Sequence, residues 1–352
     1  MTVTTLTLPA PASVDLVRTG RQRRVRRRRI AMAVMAVLIM VLFGAMLMLG
    51  RTIYPASDVI AVLTGDQVTG ASFTVGTLRL PRALTAVLAG IAFGVAGATF
   101  QTLLRNPLAS PDVIGISSGA SAAAILSIVI LHWGSTATMG LALAAGILTA
   151  LIIYLAARGG DSTGGRLILI GIGVGAMLDA VVAFLLVRAA VYDLSVAARW
   201  MTGSLNGSRM ADIPALAVAV IVLVPIVLVL QRNLGALELG DASATALGVR
   251  VDRTRMVLVV AAVALVCVAT ATTGPIAFVA FLAGPIAARI VGPGVPVIAP
   301  AALTGACLVM AADLIGQFAF DMKFPVGVIT GILGAPYLIY LLTRTARRGG
   351  SS

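Results

Sequence analysis

Apolar residues gather along this chain in long runs, and polar residues collect in the short connectors between them. Ten runs stand out, at roughly 30–50, 83–103, 112–132, 137–157, 167–188, 212–231, 255–272, 276–291, 297–316 and 326–343. A helix needs about 20 mostly apolar residues to cross the hydrocarbon core of a bilayer. The pattern therefore predicts an all-α polytopic membrane protein of about ten transmembrane helices. The first run follows Arg21-Gln-Arg-Arg-Val-Arg-Arg-Arg-Arg29. That basic stretch resembles the start of a signal peptide, but the run after it is too long and no small-x-small cleavage site follows. An uncleaved first span is expected.

Composition sharpens the class. Of 352 residues, 59% are hydrophobic and 11% charged, where a soluble chain is nearer half and a quarter. A soluble enzyme is excluded. The net charge is +13, yet its placement argues for membrane orientation and against nucleic acid. Eight basic residues lie between Arg18 and Arg29, just before the first run. Positive charge marks the cytoplasmic side. With ten spans and the N-terminus inside, 19 of the 26 basic residues fall inside: those eight, Arg105, Arg158, Arg166, Arg232, Arg250, Arg253, Arg255, Arg289, Arg344, Arg347 and Arg348. Seven fall outside: Arg51, Arg79, Arg82, Arg188, Arg199, Arg209 and Lys323. Both termini are expected in the cytoplasm.

Lipid supplies no hydrophobic drive for helix association, so small residues that admit close backbone contact matter. Gly90, Gly94 and Gly97 share one face of the second span, and Gly171, Gly173 and Gly175 cluster in the fifth. Both groups predict tight packing. Pro225 is expected to kink the sixth span.

Candidate chemistry is sparse. The one histidine, His132, ends a span beside Trp133, and no cluster has metal-ligand spacing. Cys267 and Cys307 fall inside apolar runs, so no disulfide framework is implied. A phosphate-binding loop needs Gly-x-x-x-x-Gly-Lys-Ser/Thr, and the only lysine is Lys323, followed by Phe324. If ATP drives this protein, another subunit binds it. Asp179 and Asp313 lie within spans, where a carboxylate either carries protons or hydrogen-bonds a neighbouring helix.

The connectors say more. In Leu104-Arg-Asn-Pro-Leu-Ala-Ser-Pro-Asp-Val113, Pro107 stops one helix and Ser110-Pro111-Asp112 carries helix-start signals. A rigid inner corner follows. Arg158-Gly-Gly-Asp-Ser-Thr-Gly-Gly-Arg166 reads as a passive linker or a moving gate. In the 232–254 loop, Asp241 can cap a short helix over 242–247 and Gly248 can end it. Such a helix is too short to span and makes a knob for a soluble partner. Arg79 and Arg82 flank Pro81 at the outer mouth of the second span, as carboxylate forks or as interfacial anchors.

Taken together, these stretches resemble the FecCD family, the iron-siderophore and vitamin B12 permeases of bacterial ABC importers. The resemblance rests on Leu78-Arg-Leu-Pro-Arg82, Gln101-Thr-Leu-Leu-Arg-Asn-Pro-Leu-Ala-Ser-Pro-Asp-Val113, Ser118-Gly-Ala120, Leu237-Glu-Leu-Gly-Asp-Ala-Ser-Ala-Thr-Ala-Leu-Gly-Val249, Gly274-Pro-Ile-Ala-Phe278 and Phe324-Pro-Val-Gly-Val-Ile-Thr330. Trp200-Met-Thr-Gly-Ser-Leu-Asn-Gly207 adds a likeness to the second permease of ferric-enterobactin-type systems.

The resemblance implies a permease domain over 30–345, with a basic tail at 1–29, a coupling loop at 232–254 and a short tail at 346–352. It implies two permease subunits, two ATP-binding subunits inside and a substrate-binding lipoprotein or periplasmic protein outside, in the bacterial cytoplasmic membrane. ATP is then hydrolysed on the partners, and this chain is not itself an enzyme and binds no cofactor or metal directly. The cargo is a ferric siderophore. Leu239, Gly240, Asp241, Ala246, Leu247 and Gly248 become the ATPase-coupling segment. Asn106, Pro107 and Leu108, with Ser162 and Thr163, become gates, and Arg79 and Arg82 dock the binding protein. Three positions depart from the family pattern: Pro285 replaces a common histidine, Lys323 a common acid, and Gln317 a common arginine. The last two favour a heterodimer with a second permease. The rival reading is a proton-coupled secondary transporter using Asp179 and Asp313.

Overall fold

The computed structural model describes residues 11–111, 115–157 and 163–349. These form α1 (Pro11–Met48), α2 (Ala56–Thr64), α3 (Leu80–Leu103), α4 (Ile116–Leu126), α5 (Ser135–Ala157), α6 (Thr163–Val187), α7 (Val191–Met201), α8 (Ile213–Glu238), α9 (Asp241–Ala246), α10 (Val251–Thr273), α11 (Val279–Val291), α12 (Ile298–Phe318) and α13 (Val326–Gly349). Among the described residues, seven helices are long and apolar enough to cross a membrane, and three shorter apolar helices join them at Ile116–Leu131, Val279–Val291 and Val326–Leu341. Together they fall on the ten runs.

Three differences from the sequence reading concern the connectors. The basic stretch is helical, because α1 runs unbroken from Pro11 into the first span. Two short helices, α2 and α7, occupy connectors between the apolar runs. Most of the 232–254 loop is helical, since α8 continues to Glu238 and α10 begins at Val251. Helix α8 also continues past Pro225 as one element.

Helix α3 is the axis of the bundle. It packs against α12, α10, α11 and α8, and its C-terminal half, from Ala92 to Gln101, is buried throughout. The glycines explain how. A methyl group on Gly90 would strike the backbone of Gly305 and Ala306. On Gly94 it would strike Ala301, and on Gly97 it would strike Ala280. Close backbone approach multiplies small dispersion contacts, which is the packing term available to helices in lipid. The second glycine group works differently. Gly115 lies against Gly171 and Gly175, whereas Gly173 faces open space.

Candidate functional site

Two polar clusters mark the two ends of α3. The first begins where α3 stops. Arg105 adopts a left-handed backbone (φ 50°), and the amide of Asn106 donates to the Gln101 carbonyl at 3.0 Å. The Asn106 side-chain carbonyl then accepts from the Leu108 amide at 2.9 Å, closing a tight turn over Pro107. The predicted corner is present, but its exit differs. Helix α4 starts at Ile116 behind Gly115, whose φ is +81°, and Ser110 is buried upstream of that start. Asp112 and Val113 lie outside the described residues. So does Ser162, while Thr163 opens α6 with its side chain outside them.

Beside the corner, Asn106, Pro107, Gln101, Glu238, Gly284 and Pro285 line a cleft of about 360 Å³. Pro285 has no N–H for the Phe281 carbonyl one turn back. Gln101 fills that vacancy, donating from Nε2 to the Phe281 carbonyl at 2.9 Å. Gly284 leaves room for it, because a methyl there would collide with the Gln101 amide. Where sequence comparison showed only a lost histidine, the structure shows a cross-helix clamp beside the corner.

The short helix in the 232–254 segment forms as expected, over Asp241–Ala246. Its C-terminal stop is Gly248, with φ +82°. The amides of Gly248 and Val249 return to the carbonyls of Thr245 and Ala244, the double bond pattern of a glycine C-cap. Its start is not the predicted one. Gly240 is the N-cap, and no side chain caps the helix. The Asp241 carboxylate turns to Arg255 instead, at 2.9 and 3.0 Å, and meets Arg105 at 3.5 Å. Arg105 also donates to the last-turn carbonyl of Leu237 at 3.1 and 2.6 Å, where a helix dipole favours a cation. Asp241 therefore ties the short helix to the corner that follows α3. Ala244 is buried, while Leu239 and Leu247 are 67% and 65% exposed at its two ends.

At the other end of α3 both arginines have partners within the chain. Arg79 donates to the carbonyls of Leu47, Met48 and Thr52 and stacks over the Tyr54 ring. Arg82 forks onto Asp313, with Nε–Oδ2 at 2.8 Å and Nη2–Oδ1 at 2.7 Å. Its remaining nitrogen donates to Asn206. Gln317 completes the set by donating to Asp313 at 2.8 Å. The Asp313 side chain is 1% exposed and that of Arg82 17%. Asp313 is thus a buried acid paired within the chain.

Sequence reasoning missed Asn206 and the role of Gln317. Asn206 belongs to a turn clamped by backbone bonds, Ser204 to Thr273 at 2.8 Å and Gly327 to Gly203 at 3.1 Å. Gln317 was within reach of pattern reading, since it follows Asp313 by four residues on one helix face. Asp179 has a different setting. It lies near the middle of α6 and is exposed at the surface of this chain.

Comparison with known proteins agrees with this architecture. The chain is 42% identical over 301 residues to the ferric enterobactin transport system permease protein FepG of Escherichia coli, covering 85% of this chain and 91% of that protein. It is 33% identical over 325 residues to FepD of the same system and organism, covering 91% and 97%. Its fold matches a solved metal-chelate-type ABC transporter in an inward-facing conformation, with a TM-score of 0.79 at 23% identity over 89% of this chain and 98% of that one. The FecCD transport family pattern matches residues 37–344. The chain belongs to the FecCD transport family.

Proposed function

We propose that this chain is the permease subunit of an ATP-driven importer of ferric siderophores in a bacterial cytoplasmic membrane. The observation that carries the reading is α9: a capped, exposed six-residue helix braced through Asp241 to Arg255 and Arg105. A secondary transporter needs no such knob. In this reading the Arg105 end is cytoplasmic and α9 docks in a cleft of an ATP-binding subunit, with Leu239 and Leu247 as apolar contacts. ATP is hydrolysed there and not on this chain. The bracing carries motion from α9 to the Asn106–Pro107–Leu108 corner, which acts as a gate with the 162–163 segment. Iron travels as cargo inside its organic chelator.

A second permease subunit covers α6. A carboxylate facing hydrocarbon at mid-span is costly, and such groups face a bundle interior or a watery cavity. The exposed Asp179 therefore faces a partner or the pathway between the two subunits. Outside, a substrate-binding protein docks on the rim of a cleft of about 460 Å³ lined by Arg51, Arg79, Arg82, Gln317 and Lys323. Arg79 and Arg82 shape that rim from within, and the exposed Arg51 and Lys323 supply its free charge.

The test is co-purification of the ATP-binding subunit with a Leu247→Arg, Gly248→Pro double variant. Association should be lost while the permease still inserts in the membrane. Undiminished association and transport would refute the docking role of α9.

A further inference from the structure

The basic stretch before the first apolar run has no part in the reading above. It forms the first half of α1, and Arg27 anchors it. Arg27 donates from Nε to the Ile290 carbonyl at 3.0 Å and from Nη2 to the Arg289 carbonyl at 3.1 Å. Those carbonyls close the last turn of α11, where the helix dipole attracts a cation. The contact holds α1 against the 292–297 connector. Gly292 and Gly294 there have φ of +86° and +75°, and their missing side chains leave room for Arg27 and Arg24.

Between α1 and that connector lies a cleft of about 650 Å³. Its lining is Arg21, Arg24, Arg28 and Arg29, with Val25 and Met32 from the same helix and residues 294–296 opposite. Positions 21, 24, 28 and 32 share one helical face. No acid lines the cleft. Among the described residues no ion pair involves these four arginines. The Nε of Arg28 is buried without a hydrogen-bond partner. Like charges held this close repel unless an anion joins them, and guanidinium forks match the oxygens of a phosphate.

The surroundings select the source of that phosphate. Immediately after Arg29, Ile30, Val34, Val37, Leu38 and Val41 are exposed, which is the lipid-facing side of the first span. At 1.5 Å per residue the arginines lie within about 15 Å of that face, at headgroup depth. Val25, Met32 and Pro296 give the cleft an apolar side that a soluble anion does not need. We infer that this cleft is a specific site for the phosphate headgroup of an anionic phospholipid, whose acyl chains lie along the exposed face of α1. The lipid pins α1 to the α11–α12 connector, at the same end of the bundle as the Asn106 corner.

The test uses the intact transporter complex, delipidated in detergent and titrated with phosphatidylglycerol, cardiolipin or phosphatidylcholine, with bound lipid counted by native mass spectrometry. An Arg24→Gln, Arg28→Gln variant should weaken anionic-lipid binding about twenty-five-fold, since each basic group at a membrane surface contributes roughly five-fold. An Arg23→Gln, Arg26→Gln control removes the same charge from the opposite helix face, away from the cleft, and should weaken binding clearly less than the Arg24/Arg28 variant does. Thermal midpoints of both variants identify any loss due to misfolding, and Arg24→Lys with Arg28→Lys, which keeps the charge and loses the fork, should give an intermediate affinity. Millimolar inorganic phosphate should fail to displace the lipid. Equal losses in variant and control would mean diffuse charge attraction and overturn the site. Displacement by inorganic phosphate would reassign it to a soluble anion. Retained lipid with lost ATP-binding subunit would reassign it to a protein contact.

Discussion

The two ends of α3 solve the same problem, how to hold an arginine, in opposite ways. At one end the half-buried Arg82 is held in a closed set of partners: two oxygens of the buried Asp313, Asn206 and, through Asp313, Gln317. At the other, Arg105 and Asp241 keep 48% and 54% of their side-chain surface in solvent. A buried pair broken on one side leaves a desolvated charge, whereas an exposed pair exchanges partners with water at little cost. The first end is thus built to stay fixed. The second leaves its members free to exchange partners with water while remaining attached, which suits the proposed docking of α9. Between them α3 is a rod packed backbone to backbone against α12 and α11.

The largest effect follows from cutting the buried end. Asp313→Leu strands the Arg82 guanidinium and should cost about 3–5 kcal/mol, read as a collapse of the thermal midpoint of the purified permease. Asp313→Asn keeps one acceptor for Arg82 and should retain much of the ATP-driven uptake. Uptake by this variant that still follows ATP, with an uncoupler present, separates a structural acid from a proton carrier. If instead Asp313→Leu is no less stable than a substitution at Asp241, the contrast between the ends is void.

The rod itself comes next. Gly97→Val places an isopropyl group where α11 passes at backbone contact. Overpacking of this kind costs about 1–3 kcal/mol, and the separation it forces should loosen both ends together. Hydrogen exchange would show this as faster exchange at the Asn106 corner and around Asn206. Faster exchange at one end alone would show that the ends are independent.

How much of this was legible in the sequence depends on the range of the interaction. The ten spans were visible because hydrophobicity is summed over about 20 neighbouring residues. Gly248 as a helix stop was equally visible, since a glycine C-cap is local. The Arg82–Asp313 pair was not, because its members lie 231 residues apart and no periodicity connects them. Helices α2 and α7 were hidden because nine and eleven residues are too few to register as spans. Asp241 was misassigned by a sound local rule. An acid at a helix start is a good cap, but two arginines brought in by the fold, Arg105 and Arg255, compete for the same carboxylate.

If the outer rim docks the substrate-binding protein as proposed, docking should depend on the exposed Arg51 and Lys323 and not on the paired Arg82. Reversing Arg51 and Lys323 to glutamate should slow association with the substrate-binding protein, most strongly at low salt, because exposed rim charges act on encounter rates. Arg82→Glu is the wrong probe, since it places a second acid against Asp313 and unfolds the rim. Association by the Arg51/Lys323 variant at the parent rate at low salt would move the docking surface elsewhere.

The smallest expected effect on stability is also the most informative about function. Asp241→Asn removes the charge that links α9 to Arg105 and Arg255 but keeps a side-chain oxygen in place. All three groups are substantially solvated, so the change should cost no more than about 1 kcal/mol, and the permease should insert and melt almost as the parent does. What should change is the transmission of force. With the brace reduced to neutral hydrogen bonds, α9 can still enter its partner through Leu239 and Leu247, yet its displacement reaches the Asn106 corner less faithfully. The variant should therefore keep its ATP-binding subunits and hydrolyse ATP, with fewer siderophores moved per ATP. Measuring uptake and hydrolysis on the same reconstituted vesicles gives that ratio directly. An unchanged ratio would mean that the Asp241 brace is only surface charge, and that the exposed end of α3 transmits motion through the backbone of α8 and α10 alone.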